Sequence, residues 1–583
     1  MMESILVPAH AHDAFRSYDF HSVLVSSLLQ NNSLRWLKGS ASANRFLLWI
    51  SFKLLRSMAL SSSSIVEKLA SSSSSDNASV EAITLFVVLL CVCVIIGHLL
   101  PKSRWITESG VALIVGLVVG NVILFVSGRR RSRVITFNEE LFFVYLLPPI
   151  IFNAGFQVKK KQFFRNLLEI ILYGVIGSLI SFLIVSLGSL LLFKKLDIDL
   201  LDMGDYFALG AVFSATDSFC TLQVLNKEET PLLYSLTFGE GVVNDATSVF
   251  LFQAIQRFDL SHVTSKNIRH FVGHFLGLFL TSTLLGVAIG LLSAYVIKKL
   301  YFDRHSSDGE IALMTLMAYF SYMLAGLLNL NGILTVFFCG ILMSHYTWHN
   351  VTEKSRIASR HAFATFSFIF EIFIFLYVGV HALDTDNWTI VKESPWTLLW
   401  ACVILLFLVM LGRAAFVFPL SFLINSFRKS TPSKIGFKQQ FVIWWIGLVR
   451  GAVSIALAYK KFTRSEHTRL QGDAFMITST TTIVLLTNIV GGLLSRPLIR
   501  LLMDSQKHVG NSTLPNFPAG TVSLFSNVQG SESNRDASNL LDSDQVANHY
   551  WQIFDNTFMR PVFGGRAFVP VIPSSSREGT HHD

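Results

Sequence analysis

The chain has 583 residues, of which 51% are hydrophobic and only 15% charged, and its mean hydropathy is +0.51. A soluble protein carries roughly 25% charged residues, so this composition excludes an ordinary soluble protein and indicates an all-α polytopic membrane protein. The net charge of +9 does not point to nucleic acid, because the Lys and Arg sit in short clusters between apolar runs, as membrane-flanking charge does.

Residues 1–80 form a polar, Ser-rich N-terminal extension that is expected to be disordered. Their one apolar patch, Phe46–Phe52, is far shorter than the roughly 20 residues a spanning helix needs. No long apolar core follows the N-terminus, so a signal peptide fits poorly, and Met58 is a plausible alternative start. From there the pattern predicts thirteen spans, near 81–100, 109–127, 137–157, 167–193, 205–221, 232–256, 271–297, 310–329, 332–346, 362–383, 396–425, 439–459 and 474–502. Residues 81–503 thus make up a transmembrane domain. An odd count puts the termini on opposite faces. Arg129–Arg133 then lies on one face, and Lys159–Lys161, Lys298, Lys299, Arg428 and Lys429 lie on the other with the tail, which favours a cytosolic tail by a small margin. Residues 504–583 are polar and rich in Ser, Asn and Asp, a regulatory tail expected to be mostly disordered. Within it, the aromatic stretch 549–566 either docks on a partner or the membrane domain, or hangs loosely. All five Cys fall in apolar runs and read as small packing residues.

An internal echo links Gly210-Ala-Val-Phe-Ser-Ala215 in the fifth span with Gly451-Ala-Val-Ser-Ile-Ala456 in the twelfth. Seven spans separate them, and an odd offset reverses orientation. Two six-helix halves of inverted topology, with broken helices at corresponding places, would produce such an echo, and paired Gly-interrupted segments point to a transporter's binding site.

Ionisable groups at membrane depth are costly and mark function. Here they are Asp217, Glu240, Asp245, Glu371, Arg413 and Arg450. On the sixth span Glu240 and Asn244 share a helix face, Thr247 and Ser248 extend it, and Asp245 lies beside it. Such a face offers oxygen ligands suited to Na+ or K+. Burial penalises the charged form of a carboxylate, so one buried carboxylate holds a proton or a cation but not both well, which is the minimum machinery of an antiporter. The alternative for Glu240 and Asp245 is a structural ion pair. The run Ser214-Ala-Thr-Asp-Ser218 makes a poor helix. If it unwinds, Thr216, Asp217 and freed carbonyls complete a cation site; otherwise Asp217 is a plain helix cap. Arg413 and Arg450 stay charged. They would pair with Glu371 or Asp217, or offset helix dipoles in a broken span. Pro148 and Pro149 kink the third span. No nucleotide-binding loop, paired metal-ligand spacing or nucleophile–base pairing is present, so no cofactor, no resident metal and no enzymatic activity are expected.

Four stretches carry a family resemblance. Phe143-Val-Tyr-Leu-Leu-Pro-Pro149 and its continuation to Phe164 resemble the inhibitor-associated motif of plant vacuolar Na+(K+)/H+ exchangers, on Phe143, Tyr145, Leu146, Leu147, Pro148 and Pro149. Residues 238–250 resemble their Asn-Asp ion-binding helix, 213–218 their broken crossing helix, and 558–566 their C-terminal signature. The resemblance covers roughly 58–583. It implies a homodimer with an elevator-like core and electroneutral one-for-one exchange at the vacuolar membrane, with the endosomal membrane as the alternative location. It also implies roles in pH and ion homeostasis and salt tolerance. Asp245 would carry the ion beside Asn244, Thr216 and Asp217 would frame the site, and Arg413, Arg450 and Glu371 would shape it. Na+, K+ and H+ would be the substrates, lipid the surroundings, and calcium sensors or kinases the partners at the tail. Relatives usually have Glu at position 326 and Asp at 329, where this chain has Gly326 and Asn329. That departure keeps a transport-weak regulatory homologue open beside the antiporter. A cation channel is a further rival, although no selectivity-filter sequence of the Thr-Val-Gly-Tyr-Gly kind is present.

Overall fold

The computed structural model describes residues 75–99, 108–126, 139–195, 201–217, 225, 230–257, 265–300, 307–382, 395–427, 434–462, 471–510 and 553–564. The extension up to residue 74, with Met58, lies outside the described residues. So do Arg129–Arg133, Ser218, Arg428, Lys429 and most of the tail.

Among the described residues every regular element is helical. The helices are α1 (Ser75–Leu99), α2 (Glu108–Val126), α3 (Leu141–Gln157), α4 (Lys160–Arg165), α5 (Leu167–Lys195), α6 (Met203–Ser214) and α7 (Pro231–Arg257). They continue with α8 (Ser265–Leu300), α9 (Ser307–Leu327), α10 (332–350), α11 (Glu353–His381), α12 (Pro395–Phe427), α13 (Phe437–Ile446), α14 (Ala452–Phe462) and α15 (Gln471–Gly510). A last helical piece, α16 (553–564), comes from the tail. Helices α5, α8, α9, α11, α12 and α15 are long and apolar enough to cross a bilayer. Each of the thirteen expected spans contains a helix, and the differences lie at ends and breaks.

In the fifth span the helix ends at Ser214, followed by non-helical residues 215–217, and the twelfth is split into α13 and α14 by non-helical residues 447–451. Helix α11 starts at Glu353, well before the expected 362, because its polar first turns are capped. The Thr352 hydroxyl accepts from the Ser355 N–H at 3.4 Å, and the Thr352 N–H donates to Glu310 Oε2 at 3.1 Å. Apolar periodicity cannot register a polar, capped beginning. Helix α15 likewise runs past 502 to Gly510.

Small residues set how closely the helices approach, as is usual within membranes. Gly116 and Gly120 of α2 face α11 so tightly that a Cβ at 116 would lie 2.9 Å from Gly379 Cα, and one at 120 only 2.8 Å from the Val380 carbonyl oxygen. Gly340 of α10 meets the Phe152 carbonyl of α3 in the same way, at 2.7 Å. The main core runs through α3, α5, α6, α7, α10, α14 and α15, and a smaller one joins α1, α2 and α11.

Pro148 denies the Val144 carbonyl its N–H partner four residues on. The Tyr319 hydroxyl of α9 donates to that carbonyl at 2.8 Å. The preceding Leu141–Leu146 turn is π-helical, so the proline kink and the wide turn lie together.

Candidate ion-binding site

The non-helical residues 215–217 meet the break at 447–451. The Asp217 N–H donates to the Val449 carbonyl at 3.0 Å. Arg450 Nη1 donates to the Ala215 carbonyl at 2.7 Å, and Ser454 Oγ to the Val212 carbonyl at 2.9 Å. Helix α15 completes the crossing, with Asn488 Nδ2 donating to the Arg450 carbonyl at 2.6 Å and the Arg450 N–H donating to Thr487 Oγ1 at 3.3 Å. Unwound backbone is tolerated at membrane depth only when its polar groups find such partners. The echoed segments 210–215 and 451–456 are therefore in contact.

The crossing borders a small cavity lined by Phe142, Thr216, Asp217, Asp245, Glu371, Ile374, Phe375, Gly451, Ala452 and Val453. Asp245 and Asp217 are buried. Glu371 is half-buried and accepts a hydrogen bond from Ser109 Oγ at 3.0 Å. Gly451, just before α14, packs on Asp217: a Cβ there would sit 3.4 Å from the aspartate Cβ. A carboxylate at a helix N-terminus is favoured by the helix dipole, and Arg450 meets the opposite need at the carbonyl end of α6.

Asn244 ties three helices together. Its Nδ2 donates to Thr216 Oγ1 at 3.1 Å, and its Oδ1 accepts from Ser178 Oγ of α5 at 2.5 Å. Its backbone carbonyl accepts from Ser248 Oγ at 2.9 Å, and the Ser248 and Ser214 hydroxyls are 2.8 Å apart. The amide therefore orients Thr216 at the cavity wall while Asp245, the next residue, faces the cavity.

Glu240 is not part of this cavity. Arg413 of α12 holds it in a buried two-pronged ion pair: Nη1 contacts Oε1 closely and Nη2 donates to Oε2 at 3.1 Å. Arg413 Nη2 also donates to the Ile443 carbonyl at 3.0 Å, and the guanidinium lies 4.9 Å from the Phe416 ring centroid. The guanidinium fills the space beside Gly447, where a Cβ would displace it. The expected partners of Arg413 were Glu371 or Asp217. Its partner is Glu240, because Glu240 faces α12 one turn before Asn244 turns toward α5 and α6. The shared helical face thus divides, with Glu240 committed to structure and Asp245 left to the cavity.

The motif residues are spread over several surroundings. Leu146, Leu147 and Pro148 are buried, Pro149 is half-buried, and Tyr145 is exposed. Phe143 lies under Lys460 Nζ, 5.3 Å from its ring centroid. The residue of this stretch that reaches the cavity is Phe142, its immediate neighbour. Gly326 and Asn329 lie exposed at the end of α9 and are not among the cavity-lining residues. Asn329 has φ 55°, a left-handed conformation that Asn and Asp adopt more readily than other side chains. Sequence reasoning missed Ser178, Phe142, Thr487 and Asn488. The small residues Gly174 and Gly177 beside it in an apolar span were the available signal for Ser178.

Residues 85–501 match the family model "Sodium/hydrogen exchanger, transmembrane". The chain is 58% identical over 538 residues to Sodium/hydrogen exchanger 2 of Arabidopsis thaliana, covering 89% of this chain and 98% of that protein. It is 56% identical over 517 residues to Sodium/hydrogen exchanger 1 of Oryza sativa subsp. japonica, covering 87% and 96%. Its fold is similar to that of the sodium proton antiporter MjNhaP1 from Methanocaldococcus jannaschii, with a TM-score of 0.52 at 18% identity, covering 72% of this chain and 98% of that one. With a family model spanning most of its membrane domain and plant relatives alike over nearly their whole length, the chain belongs to the sodium/hydrogen exchanger family of cation:proton antiporters.

Proposed function

We propose that the protein is an electroneutral secondary antiporter, not an enzyme, that trades one proton for one Na+ or K+ through Asp245. One observation carries the reading: Asp245, Asp217 and Thr216 line a single cavity at the point where two broken helices cross. Their carboxylate and hydroxyl oxygens are ligands for a hard monovalent cation. Neutral Asn244 holds Thr216 in place without adding a second negative charge. Glu240 is neutralised by Arg413, so it does not compete for the cation. A proton on Asp245 removes the charge that attracts the cation, and a bound cation disfavours the proton. Each turnover then exchanges one for the other. Asp217 lies beside the N-terminus of α14, where the helix dipole favours negative charge and with it a cation in the cavity.

The resemblance of residues 143–164 to the motif of plant vacuolar exchangers supports the vacuolar membrane as the location, where an acid lumen would drive cation uptake and contribute to ion and pH homeostasis and salt tolerance. A homodimer is the proposed assembly. Reconstituted protein in acid-loaded vesicles should alkalinise the lumen when Na+ or K+ is added, at a rate unaffected by clamping the membrane potential. Asp245→Asn should abolish that signal, and an unchanged rate would remove Asp245 from its role. Cation current under a pH clamp without proton movement would instead identify a channel.

A further inference from the structure

The tail segment α16 is docked on the membrane domain at the common ends of α8 and α10. Its inner stripe, Asp555, Met559 and Phe563, repeats every four residues. Asp555 is buried, with Oδ1 accepting from the Tyr346 hydroxyl at 2.7 Å and Oδ2 from Arg560 Nε at 2.9 Å. Lys298 Nζ donates to the Pro561 carbonyl at 2.7 Å, and Asn350 Nδ2 donates to the Phe563 carbonyl at 2.8 Å. The same Asn350 amide donates to the Ala294 carbonyl of α8 at 2.9 Å, and Phe563 meets Tyr346 ring to ring at 6.4 Å. These are specific polar anchors, and they fix which side of α16 faces outward.

The outward side is apolar. Ile553, Phe554, Phe558 and Val562 are between 36% and 56% exposed, and the rings of Phe554 and Phe558 stack at 5.8 Å. Residues 554, 558 and 562 form their own four-residue stripe. Four exposed apolar side chains on a twelve-residue piece need a cover, and the position of α16 identifies it. Helix α8 carries an exposed stripe of Leu276, Leu280, Leu284 and Leu292, the face that an apolar spanning helix turns to lipid. That stripe leads to Tyr295 and Lys299, whose Nζ lies 5.9 Å from the tyrosine ring centroid. A tyrosine with a lysine reaching past it marks the membrane–water interface. Lys298, which holds α16, is the next residue in that last turn.

We propose that α16 is an interfacial clip: anchored through Asp555 and its backbone carbonyls to α8 and α10, it inserts Phe554 and Phe558 into the headgroup–acyl boundary of the bilayer. Phe at this depth buries its ring in the acyl boundary while the polar inner stripe stays satisfied by protein. The clip continues the lipid-facing surface of α8 and closes the polar ends of two helices against water.

The test places a nitroxide spin label on Phe558→Cys in the full chain with the five native cysteines replaced, reconstituted in phosphatidylcholine vesicles. Asn556→Cys is the control, since Asn556 is exposed and, two residues from both Phe554 and Phe558, lies roughly opposite them around the helix. Size-exclusion elution as for the parent establishes that each variant is folded. The label at 558 is expected to collide with oxygen more than with a water-soluble nickel chelate, and the label at 556 to favour the chelate. Tyr346→Phe in the 558 variant removes an anchor and is expected to raise chelate access. Equal chelate access at 558 and 556 overturns the proposal, because the face is then in water. Shielding of 558 from both reagents also overturns it, because a protein surface then covers the face.

Discussion

Breaking the Glu240–Arg413 pair tests the assignment of Glu240 to structure. Both side chains are only 2% exposed, so Glu240→Gln leaves a guanidinium buried with the Ile443 carbonyl and the Phe416 ring as its remaining partners. Removing one member of a buried pair costs about 3–5 kcal/mol, whereas replacing both by apolar residues of similar volume is often neutral or stabilising. With an unfolding entropy of about 2.1 cal/mol/K per residue and roughly 420 residues in the membrane domain, that loss lowers Tm by about 3–6 °C. The assay is thermal unfolding of detergent-solubilised protein followed by size-exclusion fluorescence, comparing the wild type, Glu240→Gln, Arg413→Met and the double variant Glu240→Met with Arg413→Met. Both singles should fall well below the wild type, and the double should lie above both. A Glu240→Gln variant as stable as the wild type, or a double variant worse than either single, would refute the reasoning.

Three further outcomes follow from single contacts. Tyr319→Phe leaves the Val144 carbonyl without its donor beside Pro148 and should cost about 1–3 kcal/mol, read as a lower Tm in the same assay. Burial pushes the Lys160 ammonium down to about 8 while its Nζ donates to the Ser344 carbonyl at 2.7 Å. Its unfolded value is near the ordinary 10.5, so the unfolded chain binds more protons in between. Stability linked to this group is therefore present above that range and lost as pH falls through about 8. Relative to Lys160→Arg, charged throughout, the wild type should gain Tm between pH 8 and 10. Gly326→Glu places its side chain in open space, with nothing within 4 Å of a Cβ, at an exposed site away from the cavity lining. It should leave the cation concentration giving half-maximal vesicle alkalinisation within about twofold, on the order of 0.4 kcal/mol.

The spans and their order were legible in the sequence because a bilayer demands about 20 apolar residues per crossing, and each expected span holds a helix. The same cost argument found Asp217, Asp245 and Glu371, since a charge survives at that depth only in a protected place. Ends were less legible, as at α11, where a polar capped start carries no apolar period. Phe142 was passed over because a phenylalanine within an apolar run has no signal of its own, and Ser178 because its one cue was the neighbouring Gly174 and Gly177.

What the sequence alone determined was the class of protein, the ladder of apolar segments and the polar groups that must meet inside it, because membrane insertion penalises each of these one segment at a time. Partner choice was decided only by the tertiary structure. Arg413 faced several carboxylates of equal chemical merit, and its pairing with Glu240 depends on the rotation of α7 against α12 and on the space left at Gly447. That choice withdraws Glu240 from the cavity and leaves Asp245 and Asp217 at the helix crossing. Charge identity is a local property, but which charges meet depends on the distances and angles between helices far apart in the chain.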